Sequence, residues 1–220
     1  MIGAVDSDSN PPEPIRALAA MARALRRAAG NPRAANGMVL PALIAVSDAE
    51  RMTDPVAAAA SLPPRTAVLL RHYRHAGRTR LAHELAAACR ARDLTLIVAG
   101  DAELARAVGA AGVHYPEGTP FTVAPALFTT VAAHSLAAVR AAVAGGADAV
   151  LLSPVFATAS HPGGRTMGVA RFARMVAASA VPVFALGGIT AANAPRLAGS
   201  GAAGIAAVGA LAPRPGADRR

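Results

Sequence analysis

The sequence predicts an α/β fold, a single (β/α)8 TIM barrel preceded by one extra N-terminal helix. Eight short apolar runs alternate with Ala-rich segments of helical periodicity, which is typical of a parallel sheet covered by helices. The apolar runs are nearly continuous, as expected of strands that are buried on both faces. Glycine-rich steps lead from several helices directly into strands, as short αβ loops require.

The alternative fold is a doubly wound open sheet. The count of eight strands favours closure into a barrel, and the GxGxxG nucleotide-binding fingerprint does not follow the first strand. At 220 residues the chain suffices for one well-buried domain but is short for such a barrel, so its loops must be short.

The first predicted element is a helix over residues 13–29, where apolar residues recur at helical spacing. Pro14 suits the first turn of this helix, and Gly30 followed by Pro32 ends it. The chain then divides into an N-terminal extension, the barrel and a Pro- and Arg-rich tail that we expect to be disordered, at residues 1–40, 41–212 and 213–220.

The eight strands come next in the chain. They are predicted at residues 42–48, 67–73, 95–100, 112–116, 127–134, 149–155, 181–188 and 204–211. Helical periodicity between them is clearest at residues 78–92, 101–111, 135–144 and 190–200.

The composition excludes several classes of function. The net charge of +9 comes from scattered arginines without interleaved aromatic residues, so we predict no nucleic-acid partner, and no apolar run is long enough for a membrane span. The sequence has no lysine, which excludes Schiff-base catalysis through lysine. The single cysteine, Cys89, fits a reducing compartment and the N-terminus lacks the regions of a signal peptide, so we predict a cytoplasmic protein.

The carboxyl ends of the strands are the expected position of the active site. At the ends of the seventh and eighth strands, Gly187, Gly188 and Gly209 would let a ligand approach bare backbone. A helix beginning at Thr190 or Ala191 would point its N–H groups at that ligand, which favours a phosphate site. The alternative is that these glycines only permit tight turns.

The loop after the sixth strand is the longest and most polar. Thr158, Ser160, His161 and Arg165 could hydrogen-bond an anion, and two adjacent glycines would make the loop a flexible lid. The alternative is a plain surface loop.

Several histidines are candidates for proton transfer. His134 ends the fifth strand at the predicted mouth, where it could act as a general acid or base, or serve only a structural role. His72, His75 and His83 are predicted at the surface, and the histidines lack the carboxylate spacing of a metal site. Further polar side chains at strand ends are Arg71 and Tyr73 on the second strand and His114, Tyr115 and Glu117 on the fourth.

Two runs, HSLAAVRAAVAGGADAVLLSPVFATASHPGG and VPVFALGGITAANAPRLAGSGAAGIAAVGAL, resemble the thiamine phosphate synthase and TenI superfamily. The similarity extends from about Leu96 to Leu211. It implies a barrel of thiamine biosynthesis, often a homodimer, that binds a small phosphorylated thiazole or pyrimidine. Synthases of this family join a pyrimidine diphosphate to a thiazole phosphate with Mg²⁺, whereas some TenI-type relatives isomerise a thiazole carboxylate phosphate.

The resemblance implies ligand-binding roles mainly on the thiazole-phosphate side of the site. Ligand binding is implied for Thr158, Ser160, Gly187, Gly188, Ile189, Val208 and Gly209. The diphosphate side is matched only at Arg71, because other residues occupy the remaining positions: Leu69, Tyr73, Ala99, Gly100, Thr119, Ala132 and His161. Asp101 and Glu117 lie near the positions of the family's two Mg²⁺ carboxylates and are the candidates for a shifted metal site.

These matches favour a TenI-like thiazole tautomerase that works without metal or cofactor. His134 would transfer the proton, while Thr158, Ser160 or His161 would bind the substrate carboxylate. Two alternatives stay open. The chain could be a thiamine phosphate synthase that uses Mg²⁺, or a regulator that binds the phosphorylated ligand without catalysis.

Overall fold

The computed structural model describes residues 11–49, 52, 54–158 and 164–211. Eight parallel strands form a closed barrel in which each strand pairs with its neighbours in the chain and the last strand pairs with the first. The predicted barrel is therefore confirmed, and the open sheet is excluded.

The elements alternate as the sequence predicts. The strands are β1 (Leu43–Val46), β2 (Ala67–Leu70), β3 (Thr95–Ala99), β4 (Gly112–Tyr115), β5 (Phe128–Ala133), β6 (Ala149–Leu152), β7 (Val183–Ala185) and β8 (Gly204–Ala207). The α-helices are α1 (Glu13–Ala28), α2 (Pro55–Ala60), α3 (Arg78–Ala91), α4 (Ala102–Ala107), α5 (Leu136–Ala144) and α6 (Gly168–Ala177). Short 3-10 helices follow β7 and β8, at Ala194–Leu197 and Gly209–Leu211.

The predicted helix over residues 190–200 is wrong. Thr190 and Asn193 instead hydrogen-bond each other in a turn, in which the Thr190 N–H donates to Asn193 Oδ1 over 2.9 Å. Pro195 then lies in the four-residue 3-10 helix, and a proline ring prevents the backbone N–H bond that a continuing α-helix needs. The polypeptide after β7 therefore presents a loop, and not a helix N-terminus, to the mouth of the barrel.

Helix α1 covers the seam where the barrel closes. It packs against β1, β8 and both 3-10 helices. Its buried face consists of Ile15, Leu18, Ala19, Ala22 and Leu25, which matches the predicted apolar spacing. The N-terminal segment therefore supplies the helix layer over β1 and β8, where the chain after β8 provides only a 3-10 helix before the described residues end.

The residues between α1 and β1 close the floor of the barrel. Ala34 and Leu40 belong to the inner core, and the Ala35 N–H donates to Asp148 Oδ1 over 2.6 Å. Two phenylalanines, Phe128 and Phe184, fill the same inner core. A filled floor leaves the opposite, carboxyl-terminal half of the barrel as the space for a ligand.

A second and larger core lies between the barrel and its helices. Cys89 is part of it, as predicted, and burial raises the pKa of its thiol to about 11. No helix in the described part of the chain combines the length and the apolar composition that a membrane span needs.

Candidate active site

A cavity of about 770 Å³ opens at the carboxyl ends of the strands. Its apolar wall consists of Val46, Leu69, Leu151 and Leu186, with Ala132. Its polar wall consists of Asp48, Arg71, His72, Tyr73, Arg74, His75, His114, Glu117, His134 and Ser153. The cavity therefore joins an apolar interior to a rim of histidines, arginines and two carboxylates, at the end of the barrel where the sequence predicts the active site.

His134 and Glu117 form a pair on this rim. His134 follows β5 and Glu117 follows β4, and these strands are neighbours in the barrel. The distance from His134 Nδ1 to Glu117 Oε2 is 2.5 Å. A carboxylate can only accept, so His134 Nδ1 carries the proton of this hydrogen bond. In the neutral imidazole the lone pair then lies on Nε2, which makes Nε2 the basic atom of the ring.

Arg71 and Asp48 form a second pair, at the ends of β2 and β1. Arg71 Nη2 donates to Asp48 Oδ2 over 3.0 Å, and the carboxyl side chain is largely buried. The backbone N–H of Arg71 donates to the buried Ser47 Oγ over 2.9 Å. These bonds fix the ends of two neighbouring strands and hold one guanidinium group in the cavity wall.

The prediction that His72 lies at the surface is wrong. The residue is 4% exposed, and its Nδ1 lies 2.9 Å from Ser47 Oγ. The chain leaves β2 with its ring turned inward, where burial and, secondly, the neighbouring His75 lower its pKa. The surface prediction is correct for His75 and His83, both of which are exposed.

His114 is a second buried imidazole in the cavity wall. It lies at the end of β4 and is 5% exposed, with Nδ1 at 2.9 Å from Thr130 Oγ1 on β5. Burial lowers its pKa to about 3, and the positive charge of Arg71 contributes in the same direction. His114 is therefore neutral at physiological pH and would act on a ligand by hydrogen bonding.

The carboxylates at the mouth do not fit a Mg²⁺ site. Asp101 caps α4 by accepting the Leu104 N–H over 2.8 Å, and its other oxygen lies 3.5 Å from Arg78 Nη1. Glu117 is bonded to His134, and Asp48 to Arg71. No group of three or more His, Cys, Asp or Glu side chains within the described ranges is arranged to hold a metal. Mg²⁺ needs several oxygen ligands around one point, and here each carboxylate is instead bonded to a cationic or N–H donor.

The loop after β7 presents backbone N–H groups. Those of Gly187, Gly188 and Ile189 donate to no acceptor in the described part of the chain. Gly187 and Gly188 have φ values of +95° and +64°, a backbone conformation that favours glycine. Leu186, immediately before this turn, lines the cavity, whereas Gly187, Gly188, Ile189, Val208 and Gly209 are outside its lining.

The glycines of this loop also have a packing role. A Cβ atom on Gly188 would lie 2.1 Å from the carbonyl oxygen of Ala157, and one on Gly187 would lie 2.7 Å from Pro154 Cα. The loop after β7 therefore packs directly against the loop after β6. Gly209 differs, because a Cβ atom there would meet no atom of the described residues within 4 Å.

The predicted residues of the β6 loop divide into two groups. Thr158 is half-buried and Arg165 is exposed. Ser160 and His161 lie outside the described residues, so their predicted roles stay predictions.

The structure brings five of the predicted strand-end residues into one cavity: Arg71, Tyr73, His114, Glu117 and His134. The sequence did not show that Glu117 pairs with His134, that Ser47 and His72 form a buried pair, or that His114 is buried beside Thr130. One signal was available: Glu117 directly follows the predicted fourth strand and His134 ends the predicted fifth, and consecutive strands of a barrel are neighbours.

The fold and the cavity together define a TIM-barrel protein whose candidate site lies where barrel enzymes carry theirs. The family model for thiamine monophosphate synthase (TMP-TENI) matches residues 43–211, from β1 to the 3-10 helix after β8. The chain therefore belongs to the thiamine monophosphate synthase (TMP-TENI) family.

Individual relatives agree with this membership. The chain is 38% identical over 123 residues to a putative thiamine-phosphate synthase of Geobacter sulfurreducens, which is 53% of this chain and 58% of the relative. It is 39% identical over 137 residues to the thiamine-phosphate synthase of Thiobacillus denitrificans, which is 59% of this chain and 65% of the relative. The matches therefore span less than two thirds of the length of these relatives.

A solved structure supports the fold. Thiamine phosphate pyrophosphorylase from Pyrococcus furiosus superimposes with a TM-score of 0.63 over 76% of this chain and 84% of that one, at 23% identity. At this identity the similarity shows the barrel and not the reaction.

Proposed function

We propose that the barrel binds a thiazole phosphate and isomerises its ring by proton transfer through His134, as a TenI-like tautomerase. The observation that carries the proposal is the bond of 2.5 Å between His134 Nδ1 and Glu117 Oε2 at the cavity rim. It leaves Nε2 as the base and places a carboxylate where positive charge develops when that base takes a proton.

The proton balance of the step is simple. His134 Nε2 removes a proton from a ring carbon beside the imine, which gives an imidazolium that the Glu117 carboxylate stabilises. The same proton, or one exchanged from Nε2, returns to another atom of the ring. The ligand and the protein keep their total numbers of protons, and the step needs no oxidant, metal or leaving group.

The phosphate would bind the N–H groups of Gly187, Gly188 and Ile189, which have no other acceptor among the described residues. Val208 and Gly209 lie at the end of the adjacent β8 and would complete the cradle. Thr158 would hydrogen-bond the substrate carboxylate, with Ser160 and His161 as the further candidates. Arg71, which lines the cavity, would bind the ligand from the cavity wall.

A thiamine phosphate synthase is the second candidate, and the names of the similar proteins favour it over the tautomerase. That reaction joins the thiazole phosphate to a pyrimidine diphosphate, and in this family it uses Mg²⁺. The carboxylates near the mouth do not fit the metal, because Asp101 and Glu117 are bonded to Arg78 and His134. A regulator that binds the ligand without catalysis is the remaining alternative.

One experiment separates the three functions. The protein is incubated with the non-aromatic thiazole carboxylate phosphate in one series, and with both synthase substrates and Mg²⁺ in another. The proposal expects isomerisation that His134→Ala removes, and no thiamine phosphate. Formation of thiamine phosphate at an enzymatic rate would establish the synthase, and binding with neither reaction would establish the regulator.

A further inference from the structure

The structure leaves a buried nitrogen of the cavity wall without a hydrogen bond. His72 Nε2 is inaccessible and has no partner in the described part of the chain. Burying a polar atom without a partner is unfavourable, and such an atom in a native protein calls for a water or a ligand. His72 is among the residues that line the cavity, so a ligand there would reach Nε2 by displacing the atoms that now cover it.

The neighbouring bonds determine which ring nitrogen carries the proton. Ser47 Oγ accepts the backbone N–H of Arg71, and its own O–H needs an acceptor because the residue is fully buried. The acceptor available to it within the described ranges is His72 Nδ1, at 2.9 Å. Nδ1 is therefore unprotonated in the neutral ring, and Nε2 carries the hydrogen. His72 is a hydrogen-bond donor whose orientation Ser47 fixes.

The surroundings of His72 favour an uncharged partner. The inner wall of the cavity is apolar, with Val46, Leu69 and Leu151 among its residues. The nearest guanidinium group, that of Arg71, is already paired with Asp48. Burial also lowers the pKa of His72, so the ring donates as a neutral group. A dianionic phosphate would lose its hydration against this apolar wall, whereas a ring nitrogen would lose little.

We infer that His72 is a specificity-determining residue whose Nε2–H donates to an uncharged acceptor atom in the heterocyclic ring of the ligand, with Ser47 as its positioning residue. The inference rests on the proposed function, because it assigns the ring-recognition part of the same site. It separates two tasks: the loop after β7 binds the phosphate, and the end of β2 recognises the ring.

Calorimetry on the full chain tests this division with two probes, thiazole phosphate and inorganic phosphate. His72→Leu removes the donor, whereas His72→Gln places an amide N–H near the position of Nε2. We expect His72→Leu to weaken binding of thiazole phosphate about tenfold and His72→Gln to restore most of it. Binding of inorganic phosphate should be the same in all three proteins. His83→Leu, an exposed histidine of α3 that does not line the cavity, is the matched control and should bind like the wild type.

A spectroscopic measurement tests the tautomer without relying on a variant that folds. In ¹⁵N-labelled wild-type protein, His72 should show a protonated Nε2 and an unprotonated Nδ1 at neutral pH, and Ser47→Ala should populate both tautomers. Addition of thiazole phosphate should move the Nε2–H proton downfield.

The outcomes distinguish this inference from the proposed function. A protonated Nδ1, or equal affinity of wild type and His72→Leu for thiazole phosphate, overturns the role of His72 even if isomerisation occurs. Absence of isomerisation together with the tenfold loss overturns the tautomerase and supports the ring-recognition role. Absence of any binding of thiazole phosphate to the wild type overturns both.

Discussion

His134 Nδ1 lies 2.5 Å from Glu117 Oε2, across the ends of the neighbouring strands β5 and β4. The His134 side chain is 57% exposed and that of Glu117 is 37% exposed, so the pair is open to the cavity and to solvent. Because solvent screens the charges of this pair, the pair contributes little to the free energy of folding. We therefore expect its role to be the orientation of the imidazole for catalysis.

The role of Glu117 can be measured through Glu117→Gln. An amide cannot stabilise the imidazolium as a carboxylate does, so we expect kcat of isomerisation to fall roughly 10- to 100-fold, against about 10²- to 10⁴-fold for His134→Ala. Affinity for inorganic phosphate should not change. Glu103→Gln, on the exposed surface of α4, is the control. A Glu117→Gln enzyme with the wild-type rate would show that the pair has no catalytic role.

The close packing of the loops after β6 and β7 makes Gly188 a sensitive position. Gly188→Ala would combine a φ of +64° with a Cβ atom 2.1 Å from a carbonyl oxygen. We expect the free energy of unfolding to fall by roughly 3 kcal/mol or more, with loss of phosphate binding.

Gly199→Ala is the matched control for Gly188→Ala. Gly199 has a φ of +73°, and an added Cβ atom there would meet nothing within 4 Å. Only the backbone strain remains, so a decrease of about 1 kcal/mol is expected in urea unfolding. Equal effects at both positions would refute a packing role for Gly188.

Substitution of Asp101, at the end of β3, tests whether this carboxylate binds a metal. Asp101→Ala removes the N-cap of α4 and the contact with Arg78, which should lower the free energy of unfolding by about 1–2 kcal/mol. Asp101→Asn retains the cap and should be close to the wild type in stability and in isomerisation rate, with or without Mg²⁺. If Asp101→Asn instead abolished a Mg²⁺-dependent activity, Asp101 would be a metal ligand after all.

The depressed pKa of His114 predicts a loss of stability in acid. Its ordinary value is 6.5 and burial lowers it to about 3, so between these values the unfolded chain binds a proton that the native protein does not. The corresponding stability is present above pH 6.5 and is lost as the pH falls toward 3. At about 1.4 kcal/mol per pKa unit, the total reaches several kcal/mol.

Urea unfolding at neutral pH and in mild acid measures this effect. His114→Asn should be less stable than the wild type at neutral pH but lose less stability on acidification. His83→Asn, on the exposed face of α3, should follow the wild type. The pKa of His72 is also lowered, so His72 causes a further loss of stability in acid. This loss remains in His114→Asn. Parallel profiles for wild type and His114→Asn would contradict the assignment.

The predictions from sequence succeeded where the signal was local. The helix α1 and all eight strands follow from periodicity, since each element must bury its own apolar face. The predicted helix at residues 190–200 is wrong because Pro195 and the Thr190–Asn193 turn outweigh the helical propensity of this Ala-rich segment. His72 was placed at the surface because a polar residue at a strand end is usually solvated, and the partner that keeps it buried, Ser47, lies 25 positions away.

By itself the sequence determined the barrel, its order of elements and the end that carries the site, because these depend on the spacing of apolar residues and glycines along the chain. Only the tertiary structure decided which side chains share the cavity: His134 with Glu117, Arg71 with Asp48, and His72 with Ser47. Closure of the barrel brings these groups together from separate strands. The distance between side chains on different strands cannot be read from a local sequence pattern. The same closure buries His72 and His114, which lowers the pKa of each, and leaves His75 and His83 exposed.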